Sequence, residues 1–193
     1  MSPDLILPSK WQTIQVRDVK PTRWRNGGGT TRELMAWPNT QAWQWRASVA
    51  EVTQAGAFST FAGVQRWFSV LEGDGVCLTS DGHRHVLSKA DCPLEFDGAA
   101  RTECELLGGA TQDFNLMVRN PAKARMQRVI DLFEMTTDAP KIVAVYAHKQ
   151  GARVRIGTEN HALLPGTFGW MPVVENVAIR VDASDALFME ITT

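Results

Sequence analysis

Glycine follows an acidic residue again and again in the middle of this chain, at Glu72-Gly73-Asp74-Gly75, Asp81-Gly82 and Asp97-Gly98. Asp-Gly supplies the positive φ angles that a two-residue hairpin turn requires. The segments between these turns are only a few residues long and alternate polar with apolar side chains, as half-buried strands do. Residues 76–79 and 83–87 flank Asp81-Gly82 and predict one hairpin. Further strands are expected over 11–16, 30–37, 43–52, 66–71, 102–107, 113–119, 141–148, 152–156, 178–181 and 187–191. Residues 120–135 fit either state. Asn120 with Pro121 can open a helix, and Met126, Val129, Ile130 and Phe133 have helical spacing, yet a strand over 128–133 fits as well.

Turns also fall on turns when the chain is shifted by about 76 residues. Gly75 then meets Gly151, His85 meets His161 and Leu87 meets Leu163. Two β units of similar strand order follow. Many short strands with regular turns predict an all-β chain. The expected architecture is a bicupin: two jelly-roll or β-barrel units packed as one compact chain, as in the RmlC-like cupins. The expected division is 1–125 for the first unit and 126–193 for a smaller second one. Core faces should carry Trp45, Val49, Phe68, Val70, Phe114 and Leu116.

The stretch from Thr22 to Glu33 holds three consecutive glycines, at 27–29, between Trp24, Arg25, Asn26 and Thr30, Thr31, Arg32. Glycine lets backbone approach a ligand or another strand closely. Asn26-Gly27 also reads as a simple turn between strands. Neither phosphate-loop spacing is present: G-x-x-x-x-G-K-[ST] and G-x-G-x-x-G both fail. On the strand over 43–52, Gln44, Arg46, Ser48 and Ala50 share a narrow polar face, which suits a wet interior. Arg66 lies with Phe68 and Val70 on one face of its strand, and Asn115 with Asp113 and Arg119 on another. Buried arginines need partners. Glu33, Glu51 or Asp113 can serve inside the protein, and a ligand carboxylate can serve in the bidentate mode that guanidinium favours. The loop with Phe58 and Phe61 is placed to cover the mouth of such a cavity.

Other chemistry finds less support. Basic and acidic residues number 20 and 21, so there is no electrostatic case for nucleic acid or an anionic membrane. No run approaches the roughly 20 apolar residues of a membrane span. The first ten residues lack a basic n-region and a long apolar h-region, and a cytoplasmic protein is expected. Cys77, Cys92 and Cys104 form no C-x-x-C pair and are expected to be reduced, half-buried core residues. His83 and His85 point the same way from one strand but have no nearby third ligand, and a solvated hairpin explains them. No metal, no cofactor and no catalytic residue is assigned.

Trp24-Arg-Asn-Gly-Gly-Gly-Thr-Thr-Arg-Glu33, Trp43-x-Trp-Arg-x-Ser-x-Ala50, Phe58-Ser-x-Phe61 with Gly63 and Arg66, Leu71-Glu-Gly-x-Gly75, Phe96-Asp-Gly98 and Asp113-Phe-Asn-x-Met117 together resemble the HutD/Ves family. The resemblance runs in order over about residues 11–120 and is looser beyond. It implies a bicupin-like fold without the usual cupin metal ligands. It also implies an association with bacterial histidine utilisation for the HutD branch, and with stress response for the Ves branch. The resemblance and the inward-facing residues together set the expectation. A metal-free cupin-like protein binds a small carboxylate of histidine degradation, urocanate or N-formylglutamate, in a regulatory or buffering role. The expected ligand contacts are Asn26, Gly28, Thr31, Glu33, Arg46, Ser48, Phe61, Arg66 and Asn115. The alternative is a metal-independent isomerase or hydrolase of the same molecules, with Glu33 or His85 in acid–base work. The oligomeric state is left open.

Overall fold

The computed structural model describes residues 10–192. The N-terminal segment read above for targeting features therefore lies, but for Lys10, outside the described residues. Strands are β1 (Gln12–Gln15), β2 (Thr22–Arg23), β3 (Gly29–Trp37), β4 (Trp45–Val52), β5 (Gly56–Ala57), β6 (Val64–Glu72), β7 (Val76–Ser80), β8 (His83–Leu87), β9 (Leu94–Asp97) and β10 (Thr102–Leu106). They continue as β11 (Thr111–Arg119), β12 (Lys123–Val129), β13 (Leu132–Thr136), β14 (Lys141–Ala147), β15 (Ala152–Ile156), β16 (Glu159–Leu163), β17 (Thr167–Val173), β18 (Ala178–Ala183) and β19 (Ala186–Thr192). One 3-10 turn covers Val16–Asp18. The chain divides into a unit of Val19–Pro121 and a unit joining the chain up to Asp18 to the stretch from Ala122 onward.

Each unit is built from two sheets. In the unit 19–121 the orders are β2-β3-β4-β11-β6-β9 and β5-β10-β7-β8. In the other they are β1-β17-β14-β19-β12 and β13-β18-β15-β16. The order β5-β10-β7-β8 maps strand for strand onto β13-β18-β15-β16, and β4-β11-β6-β9 maps onto β12-β19-β14-β17. The 76-residue shift carries β7 onto β15 and β8 onto β16. The sequence rhyme is thus a topological repeat.

The expectation of closed barrels is corrected. The chain is all-β with cupin-like sheets, but none of the four sheets closes on itself. In the unit 19–121 the reason lies at the edges. β2 and β5 are two residues long and each pairs with one neighbour, and β9 pairs only with β6. Such short edges offer too few backbone groups to carry a ladder from one sheet to the next.

The hairpin at Asp81-Gly82 forms with both residues at positive φ, 45° and 82°. That is the pattern of a type I′ turn. Residues 120–135 resolve as two strands. Ala124 and Met126 are buried while Arg125 and Gln127 are exposed, a period of two. The β12–β19 ladder supplies the partner groups that a helix would otherwise provide internally.

Apolar faces of the two sheets meet within each unit. In the unit 19–121, Val52, Phe68 and Val70 of the six-stranded sheet pack against Val76, Leu78, Leu87 and Cys104 of the smaller one. In the other unit, Val143, Val145, Ala147 and Phe188 meet Val154, Ile156, Ile179 and Val181. Trp45, Val49, Phe114 and Leu116 are buried as well. Fully burying a side chain of this size contributes about 1.5–3 kcal/mol. Cys77 and Cys104 are buried and unpaired, whereas Cys92 is exposed, contrary to its expected core position. It sits in the turn after β8.

Candidate functional site

The six-stranded sheet of the unit 19–121 sets its inward side chains in rows. Register places Glu33 beside Ser48, Ser48 beside Asn115, and Asn115 beside Phe68. The next row toward one end reads Ala36, Arg46, Met117 and Arg66, and the row toward the other end reads Thr31, Ala50, Asp113 and Val70. A bulge between Glu33 and Met35 shifts β3, so Ala36 rather than Met35 stands beside Arg46. Bulges of this kind re-aim a strand's side chains. Arg46 and Arg66 are thereby two strands apart, roughly 10 Å between their backbones.

A cavity of about 810 Å³ opens over this face. Arg46, Ser48, Asn115, Met117 and Arg66 lie along its wall, with Glu33 and Thr31 beside them and Ala50, Val52 and Phe68 at its apolar end. Phe58, Ser59 and Phe61 come from the loop after β5. Trp24, Arg25 and Asn26 come from the turn after β2.

Arg66 is the unusual group. It is only 7% exposed. Its guanidinium carbon lies 4.8 Å from the Phe96 ring centre, 5.2 Å from Phe58 and 5.8 Å from Phe61. Nη1 donates to the Ser59 carbonyl at 3.2 Å, and Nε is buried without a hydrogen-bond partner. Among the described residues no carboxylate forms an ion pair with it. Burial, and then repulsion from Arg46, lowers its pKa from 12.5 to about 10. At neutral pH it is still a cation. Three aromatic faces compensate part of its desolvation, and the rest calls for an anion.

Arg46 is satisfied differently. Its Nε lies 3.3 Å from Glu33 Oε2, at 25% and 31% side-chain exposure. That nitrogen lacks hydrogen-bond alignment, so the contact is an ion pair rather than a directed bond. Its guanidinium also lies 5.9 Å from the Trp43 ring, which Arg119 approaches to 4.7 Å from the other residues of β11. Trp43 precedes β4 and escapes its alternation; it packs with Val64 and Met117.

The glycine turn works as a brace. Gly27 has φ +74°. Its N–H goes to the Trp24 carbonyl, and the Gly28 N–H goes to Asn26 Oδ1 at 3.1 Å. The Gly28 carbonyl accepts from Thr53 N at 2.9 Å and Thr53 Oγ1 at 3.2 Å. A Cβ on Gly29 would stand 2.3 Å from the Glu51 carbonyl oxygen. These glycines let the turn lie against the end of β4, and the N–H groups of Gly27 and Gly28 are engaged within the turn. Trp24 is held upright by its Nε1 donating to Thr31 Oγ1 at 2.7 Å, and it meets Phe58 edge-on.

Eight of the nine residues named from sequence therefore line one cavity, and Gly28 supports it from behind. Trp24, Phe58 and Met117 also line it, and Phe96 backs Arg66. Trp24 and Phe58 stand in the motifs quoted above. Met117 follows from β11 alternation. Phe96 also stands in a quoted motif, Phe96-Asp-Gly98, but nothing local tied it to Arg66. Glu51 is exposed on the other face of β4, which removes it as an internal partner for the arginines.

Elsewhere, His83 and His85 sit on the edge strand β8, and His161 stacks on Trp11 at 4.9 Å. Among the described residues no group of three or more His, Cys, Asp or Glu is arranged to hold a metal ion. No helix among them is long and apolar enough to cross a membrane.

The family model for HutD matches residues 16–189, which takes in both units. The chain belongs to the HutD family. This HutD-family chain is 40% identical over 114 residues to an uncharacterised 21.2 kDa protein of the hutC 3′ region of Pseudomonas putida, covering 56% of this chain and 58% of that one. It is 36% identical over 118 residues to protein Ves of Escherichia fergusonii, covering 59% and 61%. The chain thus spans about three fifths of the length of these two relatives. The structure of HutD from Pseudomonas fluorescens SBW25, described as a formate condition, superimposes with a TM-score of 0.81 at 28% identity, over 95% of this chain and 98% of that one.

Proposed function

We propose that this HutD-family protein binds a small carboxylate of histidine degradation, urocanate or N-formylglutamate, in the cavity of the unit 19–121. Its role in histidine utilisation is to sense or buffer that molecule rather than to transform it. The observation that carries the reading is Arg66, a buried guanidinium at a cavity wall with no carboxylate partner among the described residues. A ligand carboxylate supplies the missing charge. Ser48 and Asn115 add a hydroxyl and a carboxamide in the adjoining row, while Trp24, Phe58 and Phe61 offer flat apolar contact. Glu33 neutralises Arg46, which leaves Arg66 as the principal anion contact. The family membership and the formate named with the Pseudomonas fluorescens structure point to the same chemistry.

Calorimetry with urocanate, N-formylglutamate and formate tests this. Losing a charge-assisted hydrogen bond costs about 1.5–3 kcal/mol, or roughly 10- to 150-fold in affinity. Arg66→Ala, once shown to fold, should lose binding by that factor, and Arg46→Ala by less. Equal affinity of Arg66→Ala and wild type would refute the site. Conversion of a ligand, followed by NMR in the same samples, would replace the binding role with the isomerase or hydrolase alternative.

A further inference from the structure

We propose that Asp113 forms a proton-linked floor beneath the anion site, so that a carboxylate bound at Arg66 is accompanied by a proton taken up on Asp113. The proposal rests on the carboxylate reading of the cavity and adds a regulation that this reading does not require.

The geometry begins with β11. Asp113, Asn115 and Met117 share its inward face. Asn115 and Met117 line the cavity. Asp113 is one step further in, beside Ala50 of β4 and Val70 of β6, and it is fully buried. Thr111 Oγ1 donates to its Oδ2 at 2.8 Å, and Oδ1 has no hydrogen-bond partner. No lysine or arginine forms an ion pair with it among the described residues. A carboxylate in such a place is uncompensated, and the protonated acid is the form the site tolerates.

The charged and titratable groups around it leave Asp113 as the one that responds. On its own sheet, Arg46 and Arg66 lie two rows away toward the mouth, and Glu33 one row away on β3. From the facing sheet comes Cys104 of β10, with Cys77 of β7 near it. Burial first, and Asp113 next, push the Cys104 thiol up to about 12, so it stays neutral. Burial raises Asp113 from 3.8 to about 7, opposed only by the Thr111 hydroxyl.

A carboxylate between Asn115 and Arg66 lies roughly 7–10 Å from Asp113, given a strand rise of about 3.3 Å per residue. At an effective dielectric constant of about 20, two negative charges at that separation disfavour one another by roughly 15- to 55-fold. Ionised Asp113 and a bound carboxylate therefore exclude each other in part. Binding is tighter below the Asp113 titration and weaker above it, and binding at neutral pH draws in a proton.

Formate is the probe, with the full-length chain, at pH 5.5 and 8.5. Calorimetry in two buffers of different ionisation enthalpy counts the protons taken up. Wild type should bind formate roughly 10- to 20-fold more weakly at pH 8.5 and take up a substantial fraction of a proton near pH 7. Asp113→Asn should bind equally at both pH values and take up none. Carboxyl ¹³C NMR of wild type, with and without saturating formate, should show the Asp113 titration displaced upward by about 1–2 pH units. That measurement stands even if the variant does not fold. Formate binding with a flat pH profile, or the same profile in Asp113→Asn, overturns the proton link and leaves the carboxylate site intact. Absence of formate and urocanate binding at both pH values overturns the site, and the link with it.

Discussion

Asp113→Asn should change how the stability of this protein depends on pH, whether or not any ligand is present. The wild-type carboxyl is fully buried and holds one hydrogen bond, from Thr111. Burial lifts its pKa from 3.8 to about 7. The folded state therefore keeps a proton that the unfolded chain releases between those values. An acid raised in this way contributes stability that is fully present below pH 3.8 and is lost as pH rises toward and through 7. The full swing is about three pH units, or ~4 kcal/mol at 1.36 kcal/mol per unit. Between pH 5 and 8 it amounts to ~2.6 kcal/mol on the same relation. Asparagine has nearly the same shape and never ionises, so the variant should lack this slope. Urea unfolding of both proteins at pH 5, 6, 7 and 8, followed by tryptophan fluorescence, measures it. All other titrating groups cancel in the difference. With m of about 1–3 kcal/mol/M, the midpoint of the variant should gain on wild type by on the order of 1–2 M across that range. A difference that stays level from pH 5 to 8 would show that Asp113 is ionised throughout, and that a partner for its second oxygen exists.

Gly29→Ala should destabilise by about 1–3 kcal/mol through overpacking, because its Cβ would strike the Glu51 carbonyl. Gly27→Ala meets open space and suffers only its φ of +74°, about 1 kcal/mol, so thermal melting should rank Gly29→Ala as the more damaging. Glu33→Gln removes an ion pair whose members are a quarter to a third exposed; urea midpoints should move by less than about 1 kcal/mol, and a larger loss would mean a contact beyond Arg46. A thiol reagent should modify Cys92 quickly in the native protein and Cys77 and Cys104 only on unfolding, and three fast thiols would contradict their burial.

Local signals in the sequence were legible wherever a short stretch decides its own conformation. Asp81-Gly82 sets its turn by the positive φ of both residues, and alternation alone aims Arg46, Ser48 and Asn115 to one side. The repeat was legible because the turns between β7 and β8 and between β15 and β16 recur at the same offset. What failed was decided at a distance. Met126, Val129, Ile130 and Phe133 imitate a helical face, and only the ladder to β19 makes β12 a strand. Barrel closure depends on edges of two residues, β2 and β5, which no turn signal reports. Trp43 lies two residues before its strand, and the bulge after Glu33 is invisible to a period-two reading.

The site follows the same division. Alternation points Arg66 inward, but its isolation from any carboxylate needs Phe58, Phe61 and Phe96, which come from the loop after β5 and from β9. Asp113 looked like a partner for an arginine, and three-dimensional register puts it two rows from both. The two units make the point physically. β6 and β14 occupy equivalent places in the same strand order. β14 sends Val143, Val145 and Ala147 into a continuous apolar core, whereas β6 sends Phe68 and Val70 into a core that stops short of Arg66. One topology thus carries an apolar row on β14 and, in the hollow unit, a row on β6 that ends at a cavity-lining arginine, and the difference lies in inward side chains. The hollow unit gives up apolar burial at Arg46, Ser48, Asn115 and Arg66. A protein selected for stability alone would fill those positions as β14 does, which is why the proposed carboxylate contact is placed at the buried guanidinium.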